Sequence, residues 1–239
     1  MINVLQLCAG QGSRFREFSN IPKPFLDVGG LPMFVAALNS LKFNKNDNVR
    51  YHFLFQQSHI DQYNPMQYVD GTIHSINHYT NGAATSAAFV ISNSVYRHEE
   101  WMTIDCDFIL QYDKGYFLDE TRHASVILAE EYQWDLKSSY CCVDERCNVY
   151  GVAEKQPISK YRNTGLYHWK SGDIFMDAYN FYNNNNLLTN GEFYVAPLYN
   201  HAIQNGHQVK ISVVDKYTAI GTPSDYLKYT NNLETIKKE

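Results

Sequence analysis

The chain has 239 residues, 44% of them hydrophobic and 19% charged, with a formal net charge of −5 at neutral pH. That length supports a substantial core, and those shares exclude both general disorder and a membrane protein. With no long Lys/Arg run, the acidic balance also excludes extensive contact with a nucleic-acid backbone, although a few local donors suffice for a nucleotide monomer.

In chain order, the apolar run at residues 3–8 predicts the first strand, closed by Gly10 and Gly12. No basic segment precedes it and it is too short to cross a bilayer, so a signal-peptide reading fails and a cytoplasmic protein without a membrane partner is expected. Residues 32–41 carry apolar side chains at helical spacing, with Pro32 suited to a first turn. Further strands are predicted at 51–55, 101–104, 125–129 and 209–214, and residues 83–93 permit a helix. Residues 141–152 read as short antiparallel strands and 175–183 as a helix. The Asn run at 183–186 reads as a surface loop, and 233–239 as a charged tail.

Alternating strands and helices predict the α/β class: one domain over residues 1–239, with a mostly parallel mixed sheet flanked by helices. The five cysteines, Cys8, Cys106, Cys141, Cys142 and Cys147, are odd in number and lack CxxC spacing. They read as packing residues, not as a disulfide framework or a zinc site.

The segment from Leu5 to Lys23 carries the first chemical signal. Gly10 and Gly12 follow the first strand directly, so loop amides can approach an anionic oxygen closely, and Arg14 adds a forked donor suited to phosphate. A dinucleotide-binding fingerprint needs a third glycine where Phe15 stands, and the GK[ST] of a Walker loop is absent.

AGQGSRF followed by PKPFLDVGGLPM resembles the signature of sugar-phosphate nucleotidyltransferases and related cytidylyltransferases. NGAATSAAF, DCD, VAEKQP, NTGLYHW, GEFYVAPLYN and GTPSDYL resemble later blocks of that family, in order and over nearly the whole chain. The resemblance implies a Rossmann-like, GT-A-like nucleotidyltransferase fold, with nucleotide-binding residues within about 1–110 and acceptor-binding residues within about 111–239. It also implies the reaction: an NMP group passes from an NTP, with CTP or UTP favoured, to a sugar phosphate or other small phosphorylated metabolite. Pyrophosphate leaves, and surface-polysaccharide precursor synthesis is the expected setting.

By the same resemblance, Arg14 and the amides around Gly10 to Gly12 hold the β and γ phosphates, Lys23 meets the α-phosphate, and Leu7, Ala9, Ser13 and Asp105 belong to the nucleotide-binding set. Gly82, Ala83, Ala84 and Ser86 accept the base. Asp107 is the expected Mg²⁺ ligand, because hard cations take carboxylate oxygens, with Asp105 on the same side and Cys106 opposite. Lys155, helped by Glu154, meets the acceptor phosphate, and Asn163, Thr164 and Gly165 line the acceptor side. Ala219 departs from the pattern, standing where many relatives carry a second metal aspartate. Glu192, Asp215 and Asp225 are the replacements weighed, and Glu192 is preferred. Two other functions compete: a GT-A-type glycosyltransferase, since DCD resembles its DxD, and a nucleotide-binding regulatory relative without turnover.

Overall fold

The computed structural model describes residues 1–132 and 135–236. Its first strand, β1 (Ile2–Leu7), is buried along nearly its whole length, as a central strand covered on both faces requires. Two short 3-10 turns and the hairpin of β2 (Asp27–Val28) with β3 (Leu31–Pro32) then lead into α1 (Met33–Ser40). Pro32 stands one residue before that helix, extended at ψ 144°, and so acts as its N-cap and not in its first turn. β4 (Val49–Gln56), α2 (Gln57–Tyr63), β5 (Thr72–Ile76), α3 (Ala83–Ser92) and β6 (Glu100–Ile104) complete the first half. β1 pairs in parallel with both β4 and β6, and β5 pairs in parallel with β4.

β7 (Phe108–Gln111), α4 (Lys114–Thr121) and β8 (Ser125–Glu131) open the second half, followed by the antiparallel pair β9 (Ser139–Val143) and β10 (Val149–Glu154). β11 (Tyr161–Trp169), α5 (Gly172–Asn184), α6 (Leu198–Gln204), β12 (Val209–Val213), β13 (Lys216–Ala219) and α7 (Pro223–Ile236) follow. One nine-stranded sheet runs β10-β9-β11-β6-β1-β4-β5, with β8 and β12 joined to it beside β11. The fold is thus α/β with a mixed sheet, parallel around β1 and antiparallel around β11. The Asn run at 183–186 begins inside α5 and becomes exposed loop only after Asn184. α7 carries the chain helically through Leu233 to Ile236, where a charged tail is predicted; residues 237–239 of that tail lie outside the described residues.

Alternate side chains of the parallel strands point to opposite faces. Leu5, Leu54 and Trp101 join a core with α3, α5 and α6, while Val4, Met102 and Ile104 join another that includes Ala37 of α1 and Phe117 of α4. All five cysteines are free thiols. Among the described residues no helix is long and apolar enough to cross a membrane.

Polar residues cross-link the start of the sheet. Asn3 is fully buried; its Nδ2 donates to Glu99 Oε2 at 3.1 Å, and its Oδ1 accepts from Arg50 Nη1 at 2.6 Å. His52, 2% exposed, places Nδ1 3.1 Å from His74 Nε2 and Nε2 3.3 Å from Asn3 Oδ1. Burial first, then His74 and Arg50, hold the His52 imidazole down to about 4 against the opposing charge of Glu99. The unfolded chain, titrating near 6.5, binds that proton first, so this contribution to stability is complete above about pH 6.5 and falls as pH drops toward 4. His52→Gln should flatten the decline by up to about 3 kcal/mol in urea unfolding between neutral pH and about pH 4. A variant that loses stability as steeply as the wild type would place the linked proton on another group.

Candidate active site

The carboxyl ends of β1 and β6 meet at one edge of the sheet, where open α/β sheets form their ligand crevices. There the loop after β1 bounds a cavity of about 310 Å³ that takes in Leu7, Ala9, Gly10, Gly12, Ser13 and Lys23. Gly12 adopts φ 58°, the left-handed region, and accepts from Phe15 N–H at 2.8 Å to start a 3-10 turn. Gly82, Ala83 and Ser86 line the same cavity, as do Asp105 and Glu192. Ala84 does not: it is fully buried in the core, and its N–H donates to Phe193 O at 3.0 Å. Gly82 is held at φ 106°, where a Cβ would stand 2.4 Å from Phe193 O, so the backbone itself makes this contact.

A second cavity of about 470 Å³ shares Leu7, Ala83 and Asp105 with the first, so the two form one cleft. Arg14 lines this second cavity together with Asp107. Lys23 Nζ donates to Asp107 Oδ2 at 2.9 Å. Burial works against both charges, but mutual attraction wins: Lys23 holds Asp107 below the usual carboxylate range, and Asp107 raises Lys23. Asp105 moves the other way, up to about 7, through burial and the negative charge of Asp107, with Lys23 opposing. Its carboxylate accepts no hydrogen bond from the described residues. Cys106, between the two acids, packs away from them with Cys8 and Phe25.

Two glycines make room for this acid pair. β11 carries a register shift between Asn163 and Tyr167, and within it Gly165 adopts φ 82°. A Cβ there would stand 2.5 Å from Asp105 Oδ2, and one on Gly221 would stand 2.3 Å from Asp107 Oδ2. The pairing of β13 with β7 brings Ala219 opposite Phe108, and Ile220 N–H donates to Asp107 O at 2.9 Å. Ala219 therefore lines the cavity beside Asp107 without supplying a carboxylate. Asp225 also lines this cavity, but its carboxylate accepts from Thr222 Oγ1 at 2.6 Å at the start of α7. Asp215 is exposed and lines neither cavity. Among the described residues, no three His, Cys, Asp or Glu side chains gather as a metal cluster. Asp107 and the unpaired Asp105 suit a hard cation that draws its remaining oxygens from phosphate, with Glu192 on the first cavity.

Much of the rest of the second cavity comes from β9, β10 and β11 and from the segments 135–138 and 194–196. Glu154 is 7% exposed, accepts from Ser139 Oγ, and is raised in pKa chiefly by burial. Asn163 lines the cavity, and neither amide atom has a hydrogen-bond partner among the described residues. Thr164 turns inward, 1% exposed, donating to Leu128 O at 2.9 Å. Lys155 adopts φ 56° and donates through Nζ to the Tyr194 hydroxyl at 2.5 Å. Sequence reasoning misses Tyr194, Gly221 and Arg162. The first two lie inside the blocks GEFYVAPLYN and GTPSDYL, which could have flagged them. Arg162 bonds Glu130 Oε1 through Nε at 2.8 Å and Asp135 Oδ2 through Nη1 at 3.2 Å, with Cζ 3.4 Å from the Tyr132 ring centroid.

No family model matches the chain, and no curated protein matches it. Solved structures do. A nucleoside-diphosphate-sugar pyrophosphorylase from Vibrio cholerae RC9 superposes with a TM-score of 0.83 at 22% identity, over 97% of this chain and 100% of that one. A Bacillus anthracis structure assigned as a glucose-1-phosphate thymidylyltransferase gives 0.76 at 17% identity, over 98% and 95%. The inositol-1-phosphate CTP transferase from T. maritima gives 0.72 at 14%, over 97% and 96%. The chain has the Rossmann-like fold that these nucleotidyltransferase structures share.

Gly221→Ala should force the Asp107 carboxylate off Lys23 and cost about 1–3 kcal/mol in urea unfolding, the usual range for overpacking. Gly10→Ala, where nothing lies within 4 Å of the added Cβ, should leave stability nearly unchanged. Equal stability in the two variants would refute the tight packing of Gly221 on Asp107.

Proposed function

We propose that this chain is a Mg²⁺-dependent nucleotidyltransferase that moves an NMP group from an NTP, CTP or UTP by preference, to a sugar phosphate or other small phosphorylated metabolite, releasing pyrophosphate. The observation that carries the reading is the Lys23–Asp107 pair at the junction of two cavities, one bounded by a glycine loop and the other by polar side chains. Related activities borne by the three superposed structures support the same class. On this reading residues from about 1–110 serve mainly the nucleotide and those from about 111–239 the acceptor. The enzyme works in the cytoplasm on surface-polysaccharide precursors.

The loop amides of Gly10 to Gly12, with Arg14, hold the β and γ phosphates, and Lys23 answers the charge that builds on the α-phosphate. Ala83 and Gly82 offer the base a flat backbone surface, with Ser86 beside them. Asp107 would hold Mg²⁺, with Asp105 and Glu192 as the nearest further carboxylates, and the ion when bound supplies charge neutralisation across the phosphates. An acceptor phosphate oxygen then displaces pyrophosphate directly, so alignment by Lys155 and the Asn163 wall replaces any protein nucleophile.

One observation favours a second reading. Ala219 beside Asp107 withholds a carboxylate from the metal side, which suits a nucleotide-binding protein without turnover. Incubation with each NTP, Mg²⁺ and a panel of phosphate esters separates the two. The enzyme releases pyrophosphate, the binder binds an NTP by calorimetry and releases none, and a glycosyltransferase consumes only a nucleotide-sugar. Asp107→Asn should lower kcat/KM at least about 100-fold with folding intact. Near-normal turnover in that variant would remove Asp107 from the mechanism.

A further inference from the structure

Segment 192–194 straddles the cleft. Phe193 is clipped through its backbone, donating from N–H to Asn81 O at 3.0 Å and accepting from Ala84 N–H at 3.0 Å, with its ring buried in the core. Its two neighbours diverge from that clip: Glu192 lines the nucleotide cavity, and Tyr194 lines the second one. Lys155 is not among the residues that line the second cavity, whereas Tyr194, which its ammonium touches, is. No ion pair joins Lys155 to a carboxylate among the described residues. Its Nζ donates to the Tyr194 hydroxyl and lies 4.4 Å from the ring centroid.

We propose that Tyr194 is a positioning residue for the acceptor phosphate, anchoring the Lys155 ammonium at the wall of the second cavity and tying it, through the Phe193 clip, to the nucleotide-binding segment at Asn81–Ala84. The left-handed backbone at Lys155 fits this role, because a strained residue holds its side chain in one place only when neighbours over-determine it. The proposal rests on the reading of the second cavity as the acceptor half. Tyr194→Phe keeps the ring against the ammonium and removes only the hydroxyl.

The test measures binding of inorganic phosphate and of CTP by calorimetry in the wild type, Tyr194→Phe, Lys155→Met and the double variant. Tyr194→Phe should weaken phosphate about tenfold, the loss expected for one hydrogen bond to a charged group, and leave CTP within about twofold. In the Lys155→Met background the same change should add nothing. Arg14→Ala marks phosphate held at the nucleotide loop. The proposal is overturned if Tyr194→Phe leaves phosphate affinity unchanged, if its effect persists without Lys155, or if CTP weakens as much. Phosphate lost in Arg14→Ala but not in Tyr194→Phe also overturns it. These outcomes stand whether or not turnover is found, so a missing reaction and a wrong Tyr194 are told apart. In an active enzyme, Tyr194→Phe should raise the acceptor KM while the NTP KM stays put.

Discussion

The contact between Lys23 and Asp107 joins chain segments 84 residues apart, and the cleft is organised around it. Two carboxylates at the end of β6 repel each other, and half-burial deepens that cost. Lys23 offsets it for Asp107, which stays ionised, and leaves Asp105 to absorb the repulsion by holding a proton more readily. A loop after β1 thereby carries the cation that keeps an acid at the end of β6 charged. The same cation lines the first cavity, where phosphate oxygens would enter on the proposed function.

Close approach to these acids needs backbone without side chains. Gly165 in the β11 irregularity and Gly221 after β13 supply it from two directions, each with a carboxylate oxygen in the space of its missing Cβ. Past the irregularity, Tyr167 and His168 of β11 pair with β8 on one side and β6 on the other, so this strand joins the antiparallel strands to the parallel ones around β1. Sheet topology and site geometry are the same feature here.

Local signals make the first cavity legible in the sequence. Gly10, Gly12 and Lys23 sit within one short stretch, Gly82 to Ser86 within another, and the apolar periods of β1, β4 and β6 put both at the same sheet edge. Ala84 and Thr164 illustrate the limit of reading blocks as sites, because helix and strand alternation turns one residue of each stretch into the interior. The second cavity is less legible. Arg162 gains its partners from β8 and from the segment before β9, and Tyr194 meets Lys155 across 39 residues, so both depend on pairings that no local pattern announces. β5, β7, β11 and β13 went unmarked for the same reason: they are short or mixed in polarity, and their neighbours define them.

Ala219 makes that dependence concrete. Its residue type announces nothing, yet antiparallel pairing of β13 with β7 carries it to the wall beside Asp107. A carboxylate at this place would stand near two acids already in conflict, adding a third charge that a single lysine could not balance. With alanine there, Lys23 and Asp107 reach balance within the protein itself, and Asp105 and Glu192 are further carboxylates on the cleft. On the proposed function, the missing side chain would tie metal affinity to nucleotide occupancy, with the triphosphate supplying oxygens that the protein does not.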